Sequence, residues 1–330
     1  MAKIRKANFF DKSKLKKMIS FLGADAINQY TKGVIISPLN VINDLVPLRF
    51  KFLSESYVIE EDKELLGMVT VLPVKGNPFR LVISRLFLNQ DYFNTGKQLL
   101  DYIIAKYGAK GVTTFVAAID DSYNEVLNLF VNGCGFRQCS SEQLWKMENI
   151  RVSQTDNTFF RPFKNSDAQS VAMLFNDSII THFKCSISRN KQEYLDSFFR
   201  GLSDYKFRYI VEDKNLKTVK AYFSITTADD INYILDITTS PWYELSLEDI
   251  LDFTVRQVSK RNKDFCLFVK LKKYTTTAET IENFLLKKEA KCIQNQLILT
   301  KDFYKIIKEP QLESKIVFFN DVNEKPVFKV

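Results

Sequence analysis

The chain has 330 residues, 45% of them hydrophobic, which is enough apolar material for one large core or two medium ones. Phe (28) and Tyr (14) are abundant and Gly (10) is scarce, which excludes a disordered or fibrous protein. The formal net charge is +8, a balance that suits a polyanion or a phosphate-bearing cofactor; one His and five Cys without a Cys-x-x-Cys argue against a zinc site of ordinary ligand count.

In chain order, Asn8 to Phe10 reads as a strand and Ser13 to Phe21 as an amphipathic helix, followed by a helical stretch from Pro38 to Leu53. Three short apolar runs come next, Tyr57 to Glu60, Leu65 to Leu72 and Leu81 to Leu88. Turn signals at Asp62-Lys63 and Lys75-Gly76-Asn77-Pro78 separate them. Leu99, Leu100, Ile103, Ile104 and Tyr107 fall on one helix face, which ends at Gly108 or Gly111. Val112 to Ile119 is a continuous apolar strand, as expected for a strand buried on both faces. A helix through Tyr123, Val126, Leu127 and Phe130, a turn at Gly133-Cys134-Gly135 and a strand into Trp145 complete this half.

The second half repeats the order. A strand is expected at Thr158 to Phe163, then a helix capped by Asn165-Ser166-Asp167 that runs to about Ile180. A longer helical region passes through Tyr194, Phe198 and Phe199. Strands follow at Phe207 to Glu212, Thr218 to Thr226 and Ile231 to Thr238. A helix carries Leu247, Leu251, Val255 and Val258. Phe265 to Leu271 reads as a strand, Ile281 to Leu285 as a helix and Cys292 to Thr300 as the closing strand. A weak repeat supports the duplication: Tyr57-Val58-Ile59-Glu60 echoes Tyr209-Ile210-Val211-Glu212, and Cys139 to Leu144 echoes Cys292 to Leu297, at offsets of 152 and 153. The polar residues 151–157 read as a linker. The tail 310–330 holds one strand-like piece, Ile316 to Phe319.

No apolar run approaches the roughly 20 residues that span a bilayer, and no apolar signal core follows the basic start Met1 to Lys6. The expected location is therefore the cytoplasm, with no membrane partner. The five cysteines read as free thiols of a reducing compartment. Basic residues are scattered over Lys3 to Lys17, Lys260 to Lys273 and Lys287 to Lys308. They read as a solvated Lys-rich surface, and nucleic acid is not an expected partner.

The order β–α–α–β–β–β–α–β–α–β resembles the GNAT N-acetyltransferase fold, and the carrying stretch is Leu86 to Leu100, Leu-Phe-Leu-Asn-Gln-Asp-Tyr-Phe-Asn-Thr-Gly-Lys-Gln-Leu-Leu. In that family a Gln/Arg-x-x-Gly-x-Gly/Ala loop opens a helix whose N-terminal N–H groups hold the coenzyme A pyrophosphate. Gly96 falls on the last glycine of the loop and Leu99-Leu100 on the aliphatic pair. Asn94 stands for the earlier glycine and Asp91 for the Gln/Arg. The resemblance implies an α+β fold of two tandem acyl-CoA N-acyltransferase-like domains, each a mixed, mostly antiparallel sheet flanked by helices, at 1–150 and 158–309. It implies acetyl-CoA as co-substrate, no metal and a primary amine, small molecule or peptide, as acceptor. Leu86, Leu88, Phe93, Asn94, Thr95, Gly96 and Lys97 are the implied coenzyme-binding residues, all in the first half.

The implied acid–base positions are less well supplied. Phe130, in Phe130-x-x-Gly-x-Gly135-Phe136, stands where the family often has a proton-donating tyrosine. Ser84 and Arg85 stand near the usual glutamate. Asp120 and Asp121 could orient an ammonium or cap the following helix. Asp236, in Tyr233-Ile234-Leu235-Asp236, lies where an acidic fourth-strand residue is common, but the loop after it, Thr239 to Glu244, has no glycine and contains Pro241, Trp242 and Tyr243. Two further readings stay open: a non-catalytic tandem scaffold, and an aminoacyl-tRNA-dependent peptidyl transferase, which generally carries helical insertions not found here.

Overall fold

The computed structural model describes residues 2–11, 13–15, 17, 54–62, 64–89, 91–148, 150, 160–195, 205–213, 218–227, 229–241 and 246–303. Outside them lie the Pro38 to Leu53 stretch, the 151–157 linker, Phe198 and Phe199, Trp242 to Glu244, and the 310–330 tail.

Among the described residues twelve strands form one sheet: β1 (Lys3–Lys6), β2 (Glu55–Glu61), β3 (Glu64–Val74), β4 (Asn77–Leu88), β5 (Thr114–Asp120), β6 (Arg137–Lys146), β7 (Arg161–Pro162), β8 (Tyr205–Glu212), β9 (Val219–Thr227), β10 (Asn232–Thr239), β11 (Cys266–Lys272) and β12 (Lys291–Asp302). The helices are α1 (Tyr92–Gly108), α2 (Asn124–Asn128, continued by a π-turn over Leu129–Gly133), α3 (Ala168–Ser178), α4 (Lys184–Ile187), α5 (Lys191–Tyr194), α6 (Leu247–Ser259) and α7 (Ala278–Lys287). The sheet is mixed and mostly antiparallel, as expected; β4–β5 and β10–β11 are its parallel pairs.

The spatial order β1-β2-β3-β4-β5-β12-β6-β11-β10-β9-β8-β7 shows that the halves exchange their last strands. β12 lies against β5, and β6 lies against β11. Leu297 and Leu299 of β12 pack into the core between the first half of the sheet and α1 and α2. Trp145 of β6 and Met147 beyond it pack into the matching core under α6 and α7. A third cluster, under α3 on the opposite face, draws Ile298 from β12 and Val116 from β5. Each half thus completes its core with apolar side chains of the other.

The register defines an approximate two-fold axis. Glu142 of β6 pairs with Gln296 of β12, and they are flanked by Lys272 of β11 and Asp120 of β5 respectively. The residues skipped in the β6–β12 ladder, Cys139 and Ile293, are symmetry mates. The structural partner of Cys139 is therefore Ile293, one residue from the sequence echo at Cys292. In β2 and β8 the 152-residue offset is kept: ladder irregularities fall at Ile59/Glu60 and at Val211/Glu212.

Two expected strands are displaced by side-chain chemistry. Asn8 to Phe10 is not a strand. The Asn8 N–H donates to Asp11 Oδ2 (2.8 Å) and turns the chain into a 3-10 segment, so the strand is Lys3–Lys6. Of the expected Thr158 to Phe163 strand, Thr158 and Phe159 lie outside the described residues and Arg161–Pro162 is strand; it stops short of Phe163, where the Lys164 N–H donates to Asp167 Oδ2 (2.8 Å) in the same way.

These two turns are one device used twice. Arg5 donates to both oxygens of Asp11 (2.7 and 2.8 Å) and to Glu60 (2.6 Å). Arg161 donates to both oxygens of Asp167 (2.9 and 3.0 Å) and to Glu212 (3.0 Å). Each clasp ties an outermost strand to its neighbour and to the helix entry through bidentate, charge-assisted bonds. Burial opposes ionisation of Asp11 and Asp167, but the arginines and the backbone N–H donors outweigh it and hold both carboxyls below their ordinary value. Their stabilisation is complete above the unfolded Asp range near 3.9 and is lost as pH falls through the depressed folded values. Asp167→Asn is expected to cost about 1–2 kcal/mol near neutrality, discounted for the partly exposed arginine. It should also flatten the loss of thermal stability below about pH 4, measured by circular dichroism melts across pH.

Candidate active site

The first half opens a cleft between β4 and β5. The β4–β5 ladder runs only from Arg80↔Thr114 to Ile83↔Ala117, although the strands continue to Leu88 and Asp120. One extra residue lies at this point. β3 pairs Thr70 with Arg85 but Val71 with Ile83, leaving Ser84 as a bulge whose hydroxyl donates to the Thr70 carbonyl (3.2 Å). A bulge bends its strand and increases its twist, so β4 diverges from β5 and leaves a gap edged by backbone. Leu86 and Leu88 sit beyond the bulge, buried under α1.

The N-terminus of α1 stands at this gap. Gly96 is packed so closely that a β-carbon there would lie 2.3 Å from Leu129 Cδ2 and 2.9 Å from Leu88 Cδ1. Thr95 is buried beside it. Phe93 lies over Gly133, where a β-carbon would be 3.2 Å from its ring. The helix start is already occupied by a carboxylate. Asp91, in the left-handed region at φ 46°, accepts the Asn94 N–H (3.2 Å) and the Asn94 side-chain amide (2.8 Å). Lys97 is paired with Asp101 (2.5 Å). The helix start carries Asp91 where the pyrophosphate of the coenzyme would need N–H donors.

At the corresponding place in the second half, side chains bridge the two strands. β9 and β10 pair without a break from Tyr233↔Thr227 to Thr239↔Ala221, so β10 has no bulge. The β10–β11 ladder also ends before its strands do, at Asp236↔Lys270, one pair further along than in the first half. Beyond that point Lys272 bonds Asp236 (2.5 Å) and Thr238 (3.0 Å) across the strands. Glu142 accepts from Lys270 (2.8 Å) and Tyr274 (2.6 Å) in the same layer. Burial disfavours the charge on Asp236, yet Lys272, Lys270 and Arg189 overcome this and pull its pKa down to about 2. In this setting Asp236 is an ion-pair partner rather than a proton acceptor near neutral pH. Sequence reasoning missed Lys270, Lys272 and Glu142. The signal was the alternation in Cys266–Lys272, which puts Leu267, Val269 and Leu271 in the core and both lysines on the opposite face.

The three aspartates do not converge. Asp120 is buried and accepts from the Ser122 N–H (2.9 Å) and hydroxyl (2.5 Å). Asp121 is exposed and accepts from Asn295 (2.8 Å). Asp236 lies in the other cleft, beyond β12, β6 and β11. Phe130 is fully buried against Phe136, with ring centroids 4.9 Å apart. The π-turn at Leu129–Gly133 absorbs one extra residue between Phe130 and Gly135. His182 is exposed with its ring edge-on to Phe183. Burial pushes the Cys134 thiol up to about 11, so it is not a nucleophile. Among the described residues no His/Cys/Asp/Glu cluster could hold a metal, no helix is long and apolar enough to cross a membrane, and the five cysteines are free.

Residues 37–136 match the family model of the Acetyltransferase (GNAT) family. No curated protein sequence matches the chain. Among solved structures, a tandem GNAT protein from the clavulanic acid biosynthesis pathway shares 10% identity and a TM-score of 0.60, over 92% of this chain and 98% of that one. A GCN5-related N-acetyltransferase from Sphaerobacter thermophilus shares 11% identity and a TM-score of 0.55, over 91% and 95%. A probable N-acyltransferase from Enterococcus faecalis V583 shares 12% identity and a TM-score of 0.51, over 92% and 72%. The fold is that of two tandem GNAT units, acyl-CoA N-acyltransferase-like domains.

The close packing at Gly96 is directly testable. Gly96→Ala is expected to destabilise by about 1–3 kcal/mol through overpacking against Leu129, read as a lower melting temperature. Adding Leu129→Ala should return part of that loss, so that the double variant is more stable than the sum of the single changes.

Proposed function

We propose that this protein is an acyl-CoA-dependent N-acyltransferase that uses acetyl-CoA, holds the coenzyme in the first half and acylates a primary amine. The observation that carries the reading is the Ser84 bulge, present in β4 and absent from β10. It supports one open cleft per chain. In this reading the backbone of 84–88 and 118–120 lines the pantetheine arm, Leu86 and Leu88 flank it, and the N–H groups of Phe93 to Lys97 face the phosphates.

The coenzyme supplies the activated thioester. In the net reaction the amine nitrogen forms a bond to the acyl carbon, the carbon–sulfur bond breaks, and the proton released from nitrogen ends on sulfur through water. Phe130 has no proton to give, and the carboxylates of Asp120 and Asp121 are engaged by Ser122 and Asn295. The rate gain then comes mainly from holding amine and thioester together. A second reading, a tandem scaffold without coenzyme, draws support from the Asp91 carboxylate at the start of α1.

Acetyl-CoA at about a hundredfold excess over Kd should stabilise the full chain by about 2.7 kcal/mol, a melting shift of several degrees. Ser84→Asp combined with Asp120→Lys copies the residues that bridge the strands of the second half. This double variant should remain folded and lose the shift. No shift in the unaltered chain removes the acyltransferase reading. Asp91→Asn keeps the cap and removes its charge, and should tighten acetyl-CoA binding about two- to fivefold at low salt. Unchanged affinity would show that the phosphates lie elsewhere.

A further inference from the structure

β12 continues past the end of β5. Asp120, the last residue of β5, pairs with Gln296, so no β5 residue stands opposite Gln294. The chain leaving β5 crosses there, with the Asp121 N–H donating to the Asn295 carbonyl (2.9 Å). Gln294 and Gln296 share the sheet face of Ile298, opposite the face that carries Leu297, Leu299 and α1. They stand beside the mouth of the β4–β5 gap, on the face away from α1.

Gln294, Asn295, Gln296 and Thr300 of β12 all carry buried side-chain polar atoms without a hydrogen-bond partner among the described residues. Gln294 is buried (7% exposed), and among the described residues neither its carbonyl nor its amide group has a hydrogen-bond partner. The Gln296 amide nitrogen is likewise buried without a partner. Leaving such groups unsatisfied costs about 1–3 kcal/mol each. Its paired neighbour across the ladder is the buried Leu144, whose side chain offers no hydrogen bond. A buried amide kept with both ends open, beside a cleft, fits a group held for a ligand.

Resting on the acyltransferase reading, we infer that Gln294 and Gln296, contributed by the exchanged strand of the second half, recognise the acceptor at the first-half cleft. The acceptor class follows from what they offer. Gln294 presents one acceptor and one donor, so the matching molecule is a small primary amine that also bears a group able to donate and accept, a hydroxyl or an amide. An alkylamine leaves the glutamines unpaired and is rejected for that reason. The first-half site is therefore incomplete without the second half, which gives the duplicated domain a role without a coenzyme of its own.

The test compares ethanolamine, glycinamide and glucosamine with propylamine and butylamine, in the full chain and in Gln294→Met. Thiol release from acetyl-CoA gives kcat/KM for each amine. Saturation-transfer NMR gives binding of each amine with and without coenzyme A. The expected result is a preference for the polar amines of about tenfold or more, which Gln294→Met collapses toward one while acetyl-CoA affinity is kept. The melting temperature of the variant should be equal or higher, because an unpartnered buried amide has been removed. A preference that survives the substitution overturns the inference. So does a lower melting temperature, which would mean that the amide is satisfied structurally. Absence of binding by any polar amine overturns it as well. Failure of acetyl-CoA to bind refutes the acyltransferase reading instead, and NMR binding of the polar amines alone then still decides the role of Gln294.

Discussion

Glu142 and Gln296 face each other where the two last strands run side by side, and the sheet is laid out from that pair. Because β6 and β12 are exchanged, the hydrophobic layer of each half is closed by leucine or tryptophan side chains from the other. Burial of this kind is the dominant favourable term in folding. It couples the halves more firmly than a surface contact between separate domains would. The arrangement also fixes geometry: the ends of β5 and β11 approach the axis from opposite directions and set the positions of the two clefts.

The two clefts began from one plan and diverge through very few residues. Ser84 and Asp120 in the first half correspond, at an offset of 152, to Asp236 and Lys272 in the second. A small residue on a bulge leaves a gap, whereas a lysine bridges to an aspartate and a threonine across the strands. The buried ions of the second half are paired with one another, and removing one partner would leave an uncompensated charge. The amides of Gln294 and Gln296 are the opposite case, buried and without partners among the described residues.

Much of the fold was legible in the sequence because it rests on local patterns. The helix through Leu99, Ile103 and Tyr107 and the strand ending at Ile119 follow directly from apolar spacing, and the 152-residue offset lies in β2 and β8. Strand exchange was not legible, since each strand has the same alternation whichever neighbour it joins. Asn8 sits in a turn rather than a strand because an aspartate three residues on accepts its N–H group, and the same contact at Lys164 follows the strand Arg161–Pro162. At the site, Gly96 was singled out as a loop glycine, while its tightest constraint is contact with Leu129, which sequence spacing cannot reveal. The bridging role of Lys272 depends on which β10 residues it reaches across the ladder.

The central claim is that one half keeps an open coenzyme cleft and the other has lost it. Isothermal titration of the full chain with acetyl-CoA measures this most directly. The account predicts a single site per chain; two sites, or none, would contradict it.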